Sequence, residues 1–176
     1  MSEVRPTPVP PQIVVVDAQV AFLTAKVPAD LPARIASFLD TQPAARCLAT
    51  RYRNHPTAPC STLMGWAGAS SEDDTALHPL IAARVDTVID KDTYSADLTG
   101  HLQPGGPVYL AGLDTDVCVQ AIATALFDHG TDVHVVTDLC ASSGGPSAHT
   151  AGLQVLRRIV GQSRLVRSAD LATKSR

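Results

Sequence analysis

The chain has 176 residues and a formal net charge of −3. That length suits one domain with a substantial core, and the charge has the wrong sign for nucleic acid or an anionic membrane as the main partner. No apolar run approaches the roughly 20 residues that cross a bilayer, and the opening "MSEVRPTPVPPQ" lacks the apolar stretch of a secretory signal. Cys47, Cys60, Cys118 and Cys140 are scattered, with neither a CxxC pair nor metal-type spacing. They read as reduced thiols of a cytoplasmic protein, packed as small apolar residues unless chemistry claims one. The prolines at the start predict a mobile arm over 1–11, followed by a single domain over 12–176.

Taken in chain order, "QIVVVDAQ" over 12–19 places four β-branched residues ahead of Asp17. It predicts a strand buried on both faces, as in a parallel sheet. Residues 30–40 space Leu31, Ile35, Phe38 and Leu39 on one helical face. A second strand follows over 44–52. A long polar loop over 56–74 then carries an apolar patch at Leu63, Met64 and Trp66. The third strand, 85–91, alternates more than the others and suits a sheet edge. "GPVYLAG" is the fourth strand, 116–129 is helical, and 131–138 is the fifth strand, with Cys140 at its end. The helix over 146–161 has proline at its start and glycine at its close. A last strand falls near Leu165. Strands alternating with helices predict an α/β fold of three layers, doubly wound around a mainly parallel sheet.

Ligands of such sheets bind outside the carboxyl ends of the strands. Asp17, Lys91 and the turn from Gly112 to Cys118 all lie at such ends, so residues distant in sequence converge on one crevice. An acid, an ammonium and a thiol together can run nucleophilic catalysis. Cys118 falls in the first turn of a helix, where the macrodipole favours an anion. A nearby ammonium is expected to lower the thiol pKa further. Asp17 can take the thiol proton and return it to a leaving group.

Four segments together resemble the isochorismatase-like cysteine hydrolase family: "VVVDAQVAFL", "VIDKDTYSA", "LAGLDTDVCVQAIATALFDHG" and "VHVVTDLCAS". The third is the most specific. The resemblance implies a sheet of order 3-2-1-4-5-6, Cys118 as nucleophile, Asp17 as general base and acid, and Lys91 as the stabilising cation. It also implies a cis peptide between Leu113 and Asp114, which would aim the amide of Asp114 and that of Cys118 at one oxyanion. No cofactor is implied, and family members are commonly homo-oligomers. The substrate implied is a small molecule with an amide-type C–N bond. A vinyl-ether hydrolase of the isochorismatase type, and an idle family member that only binds or scaffolds, stand as alternatives. The presence of Cys118 leans toward acyl chemistry.

Nicotinamidases of this family hold a metal with an aspartate and histidines after the second strand. Here "ATRYRNHP" puts Tyr52 and Asn54 at the aspartate and first-histidine positions and leaves His55 alone, so no metal is expected. Phe22, Trp66, Tyr94 and Leu113 are candidates to wall the substrate pocket, and Gln19 to orient substrate or water or to cap its loop. "SSGGPS" over 142–147 reads as a flexible turn, and His149 as a packing or interface residue.

Overall fold

A computed structural model describes residues 9–172. Six strands form one sheet: β1 (Gln12–Val16), β2 (Arg46–Tyr52), β3 (Thr87–Lys91), β4 (Val108–Gly112), β5 (Val133–Cys140) and β6 (Leu165–Val166). Their spatial order is β3-β2-β1-β4-β5-β6, and every neighbouring pair is parallel. This is the order implied by the family resemblance, with β3 at the edge as its alternating sequence predicts. Among the described residues, no helix is long and apolar enough to cross a membrane.

The β-branched run of β1 explains its central place. Ile13 and Val15 enter one core layer, while Val14 and Val16 enter the other. All four are fully buried, each stabilising the fold by about 1.5–3 kcal/mol. Helix α1 (Leu31–Asp40) covers the first layer with Leu31, Ile35, Phe38 and Leu39, the four residues its periodicity singles out. Helices α5 (Cys118–Asp128) and α6 (Pro146–Ile159) cover the second, through Val119, Ile122, Leu126 and Leu156.

The long polar loop differs from its expectation. It holds two single helical turns, α2 (Pro59–Thr62) and α3 (Glu72–Thr75), and a third turn, α4 (Pro79–Ala82), follows. Each is too short for periodicity to mark, but proline opens α2 and α4, and Ser71 caps α3 by accepting from the Asp74 amide. A last helix, α7 (Ser168–Ala172), follows β6. Residues 1–8 of the expected arm lie outside the described residues. The rest of it is packed: Val9 and Pro10 sit so close to Gly106 that a Cβ there would lie 2.8 Å from Val9, and the Pro11 carbonyl accepts from Arg46.

The strand order runs outward in opposite senses from β1 and β4, to β3 on one side and β6 on the other, which makes their carboxyl ends the switch-point crevice. Gly112 closes β4 there with φ of 112°. A Cβ on it would stand 2.2 Å from the Val16 carbonyl oxygen. Only glycine lets the two strand ends meet so closely.

Candidate active site

Asp17 leaves β1 with φ of 45°, a left-handed conformation that costs a non-glycine residue about 1–3 kcal/mol. Two bonds to β2 hold it there. The Asp17 amide donates to the Thr50 carbonyl at 3.2 Å, and the Thr50 hydroxyl donates to Asp17 Oδ1 at 2.7 Å. The other oxygen, Oδ2, faces Lys91 Nζ at 2.8 Å. That contact lies outside hydrogen-bond angles, so Oδ2 is held by charge and keeps a lone pair for a proton. The pair is almost wholly enclosed, with side chains 3% and 1% exposed.

Lys91 ends β3. Its ammonium donates to the carbonyls of Thr93 at 2.9 Å and Tyr94 at 3.2 Å, and reaches Cys118 Sγ at 3.4 Å. It also stands 5.1 Å from the centre of the Tyr52 ring, a cation–π arrangement. A buried ion pair is tolerated only when its remaining hydrogen-bonding capacity is satisfied, and these carbonyls do that for Lys91. The structure thus gathers an acid, an ammonium and a thiol from positions 17, 91 and 118 into one cluster.

Cys118 opens α5, so its amide belongs to the first turn, whose N–H groups have no partner inside the helix. The Leu113–Asp114 peptide, four residues earlier, is cis. The thiol departs from the expectation of a lowered pKa. Burial pushes it up, and the Asp17 carboxylate, which repels the thiolate, adds to that; Lys91 pulls the other way and is outweighed. Burial and the neighbouring carboxylate thus both favour the protonated thiol. Sequence spacing brings an ammonium near sulfur but does not reveal that the carboxylate acts on it too or how deeply the thiol is buried.

Hydrogen bonds brace the β4–α5 turn from behind. The amide and hydroxyl of Thr115 both donate to the Ala141 carbonyl at 3.0 Å, and the same hydroxyl lies 2.7 Å from His149 Nδ1. Asp114 accepts from the Ser143 amide at 2.7 Å and its hydroxyl at 2.6 Å. Burial still holds the Asp114 carboxyl above its ordinary pKa, with the Ser143 bonds opposing. Helix α6 presses on this turn at Gly152, where a Cβ would stand 2.7 Å from Asp116 Cα. His149, read from sequence as packing, is in place to support the turn.

Above the cluster opens a cavity of about 340 Å³, lined by Ala21, Phe22, Thr24, Tyr52, Cys60, Met64, Trp66, Tyr94, Cys118 and Ser143. None of these side chains carries a fixed charge. Phe22 and Trp66 stack at 6.0 Å between ring centres, and Tyr52 meets both at 6.2 and 6.1 Å. Phe22, Trp66 and Tyr94 thus line the cavity. Gln19 and Leu113 do not. The Gln19 amide is spent on the backbone, donating to the Tyr52 and Thr75 carbonyls and accepting from the Tyr52 amide at 2.6 Å. Leu113 is fully buried in the core layer beneath α1. Sequence alone does not reveal toward which side of a turn a side chain points.

Tyr52, Cys60, Met64, Thr24 and Ser143 are wall residues that the sequence did not single out as such. They lie in loops, in the single turn α2 or at a strand end, without periodic pattern. The sole available signal was Tyr52 itself, a bulky ring closing a strand whose end faces the crevice. Among the described residues, no three of His, Cys, Asp or Glu gather as a metal-holding group.

The sequence model of the Isochorismatase domain matches residues 11–166, and the chain belongs to that family of hydrolases. Solved structures of the same fold include an isochorismatase-like hydrolase from Alkaliphilus metalliredigens, at 16% identity and a TM-score of 0.79 over 96% of this chain and 100% of that one. PnC1 from L. infantum in complex with nicotinate is similar at 23% identity and a TM-score of 0.76, over 91% and 93%. N-carbamoylsarcosine amidase from Thermoplasma acidophilum is similar at 22% identity and a TM-score of 0.70, over 91% and 97%. No curated protein sequence matches the chain.

Proposed function

We propose that the protein is a cysteine hydrolase that cleaves an amide-type C–N bond of a compact, uncharged substrate. One observation carries the reading: Cys118 Sγ and the Asp17 carboxylate both lie against Lys91 Nζ, at 3.4 and 2.8 Å, and Cys118 lines an aromatic cavity without fixed charge in its wall. A neutral thiol beside a carboxylate suits proton transfer during attack rather than before it.

The steps follow from the positions. The substrate carbonyl carbon settles over Sγ. As the S–C bond forms, the thiol proton passes to Asp17 Oδ2. Negative charge moves from the carboxylate toward sulfur and the carbonyl oxygen, and the Lys91 ammonium stays in contact with both of its partners throughout. The amides of Asp114 and Cys118 receive the oxyanion, as the start of a helix favours. Collapse of the tetrahedral species breaks the C–N bond, and the leaving nitrogen takes the proton from Asp17. Asp17 then removes a proton from water, which attacks the thioester, and the acid departs as sulfur recovers its proton. A vinyl-ether reaction on an anionic substrate has less support, since it needs no nucleophilic sulfur and the wall offers no cation.

Incubation with a panel of small neutral carboxamides, quenched in acid and read by intact mass, tests the reading. The expected result is an acyl adduct on Cys118 with release of ammonia or amine. Turnover of an amide by Cys118→Ala at the wild-type rate would overturn it.

A further inference from the structure

We propose that Asn54 is a positioning residue that sets substrate selection by fixing the Trp66 wall of the cavity. The inference rests on the cavity being the substrate site, and it concerns a residue with no contact to the reacting groups. Asn54 is 4% exposed and lies two residues past the end of β2. Its Nδ2 donates to the carbonyls of Trp66 at 2.7 Å and Gly68 at 3.1 Å. Its Oδ1 accepts from the Ser61 hydroxyl at 2.9 Å and the Tyr52 hydroxyl at 3.4 Å. Its own amide donates to the Ala69 carbonyl at 2.9 Å.

One side chain therefore ties α2, the 66–69 segment and the Tyr52 ring to the end of a sheet strand. Apart from Asn54, the segment is tied by the Trp66 amide donating to the Cys60 carbonyl at 2.9 Å, and its conformation is strained. Ala69 has φ of 53°, a conformation disfavoured for alanine. The Trp66 ring folds back over Gly68 so closely that a Cβ there would lie 2.4 Å from a ring carbon. The ring's place in the cavity is thus defined by a missing side chain beneath it and by the Asn54 amide gripping the backbone at Trp66 and at Gly68.

Trp66 is the sole tryptophan of the chain, so intrinsic fluorescence reads its surroundings without any assumption about the reaction. A second measurement compares labelling of Cys118, located by peptide mass, by iodoacetamide and by 2-iodo-N-phenylacetamide. The two share a reactive carbon, and the second adds a ring for the wall to accept. Asn54→Leu is expected to shift Trp66 emission to longer wavelength. It is expected to lower the phenyl-to-unsubstituted rate ratio about tenfold, within the roughly hundredfold that misplacing a positioning group can cost, with the iodoacetamide rate unchanged. Gly68→Ala, which moves the ring directly, should give the same pattern. Should Asn54→Leu not fold, Asn54→Asp, which keeps the Ser61 contact, is read the same way. Wild-type emission and rate ratio in the Asn54 variants would overturn the proposal, as would equal slowing of both reagents. Failure of the hydrolase reading would show as absent amide turnover in the wild type and would leave the emission result standing.

Discussion

The three chemical groups beneath the cavity, its floor, come from the ends of hydrogen-bonded strands and the first turn of α5, whereas the wall draws Cys60, Met64 and Trp66 from the segment between β2 and α3 and its other rings from Phe22, Tyr52 and Tyr94. On the floor, position follows from sheet register: Tyr52 pairs with Lys91, and Val16 with Gly112. Charge is buried there and matched within 2.8 Å. On the wall, position follows from side-chain bonds to backbone, with Asn54 and Gln19 in place of ladder partners. Chemistry that tolerates little displacement sits on the rigid part. Shape, which can differ between relatives without losing the reaction, sits on the adjustable part.

Breaking the floor has the largest expected effect. Cys118→Ala should leave no measurable turnover, and Asp17→Asn should lower kcat by about 10²–10⁴, the range for losing a general acid–base. Steady-state kinetics on the best amide of the panel checks both. Lys91→Met should be the most costly to the fold, because it strands a carboxylate that is 1% exposed. Removing one member of a buried pair costs about 3–5 kcal/mol, read by chemical denaturation.

Breaking the wall should act on recognition instead. Trp66→Ala is expected to raise KM about tenfold with kcat nearly unchanged, since it removes binding area without touching the nucleophile. A fall in kcat equal to the rise in KM would erase the distinction between floor and wall.

A pH dependence sharpens the electrostatic side of the comparison. Burial pushes the Cys47 thiol to about 11 and the Cys140 thiol to about 12, and raises Cys118 as well. The folded chain therefore keeps protons that the unfolded chain releases near pH 8.5. Stability from this source is complete below that pH and declines as pH rises from about 9 toward 12, by up to about 1.4 kcal/mol per pH unit for each thiol. Denaturation midpoints at pH 8 and pH 10 should differ in that direction.

Much of the floor was legible from the residues. The run Ile13 to Val16 announces a strand buried on both faces, and Asp17, Lys91 and Cys118 each follow or end a recognisable strand or open a helix. Two things stayed hidden. The balance of charges around the thiol depends on distances and exclusion of water, which spacing does not encode. The wall depends on where side chains point after a turn: of the two roles the sequence leaves open to Gln19, the structure shows loop bonds to Tyr52 and Thr75, and Leu113, a candidate for the lining, fills the core. Single-turn helices such as Pro59–Thr62 are shorter than any period that could reveal them.

Lys91 is carried by the outermost strand, which has a sheet neighbour on one side alone. Fraying begins at such margins, where fewer hydrogen bonds must open. Detachment of β3 would withdraw the ammonium while the carboxylate and sulfur stayed on interior elements. On the proposed mechanism, loosening those five residues would silence the protein well before its sheet comes apart.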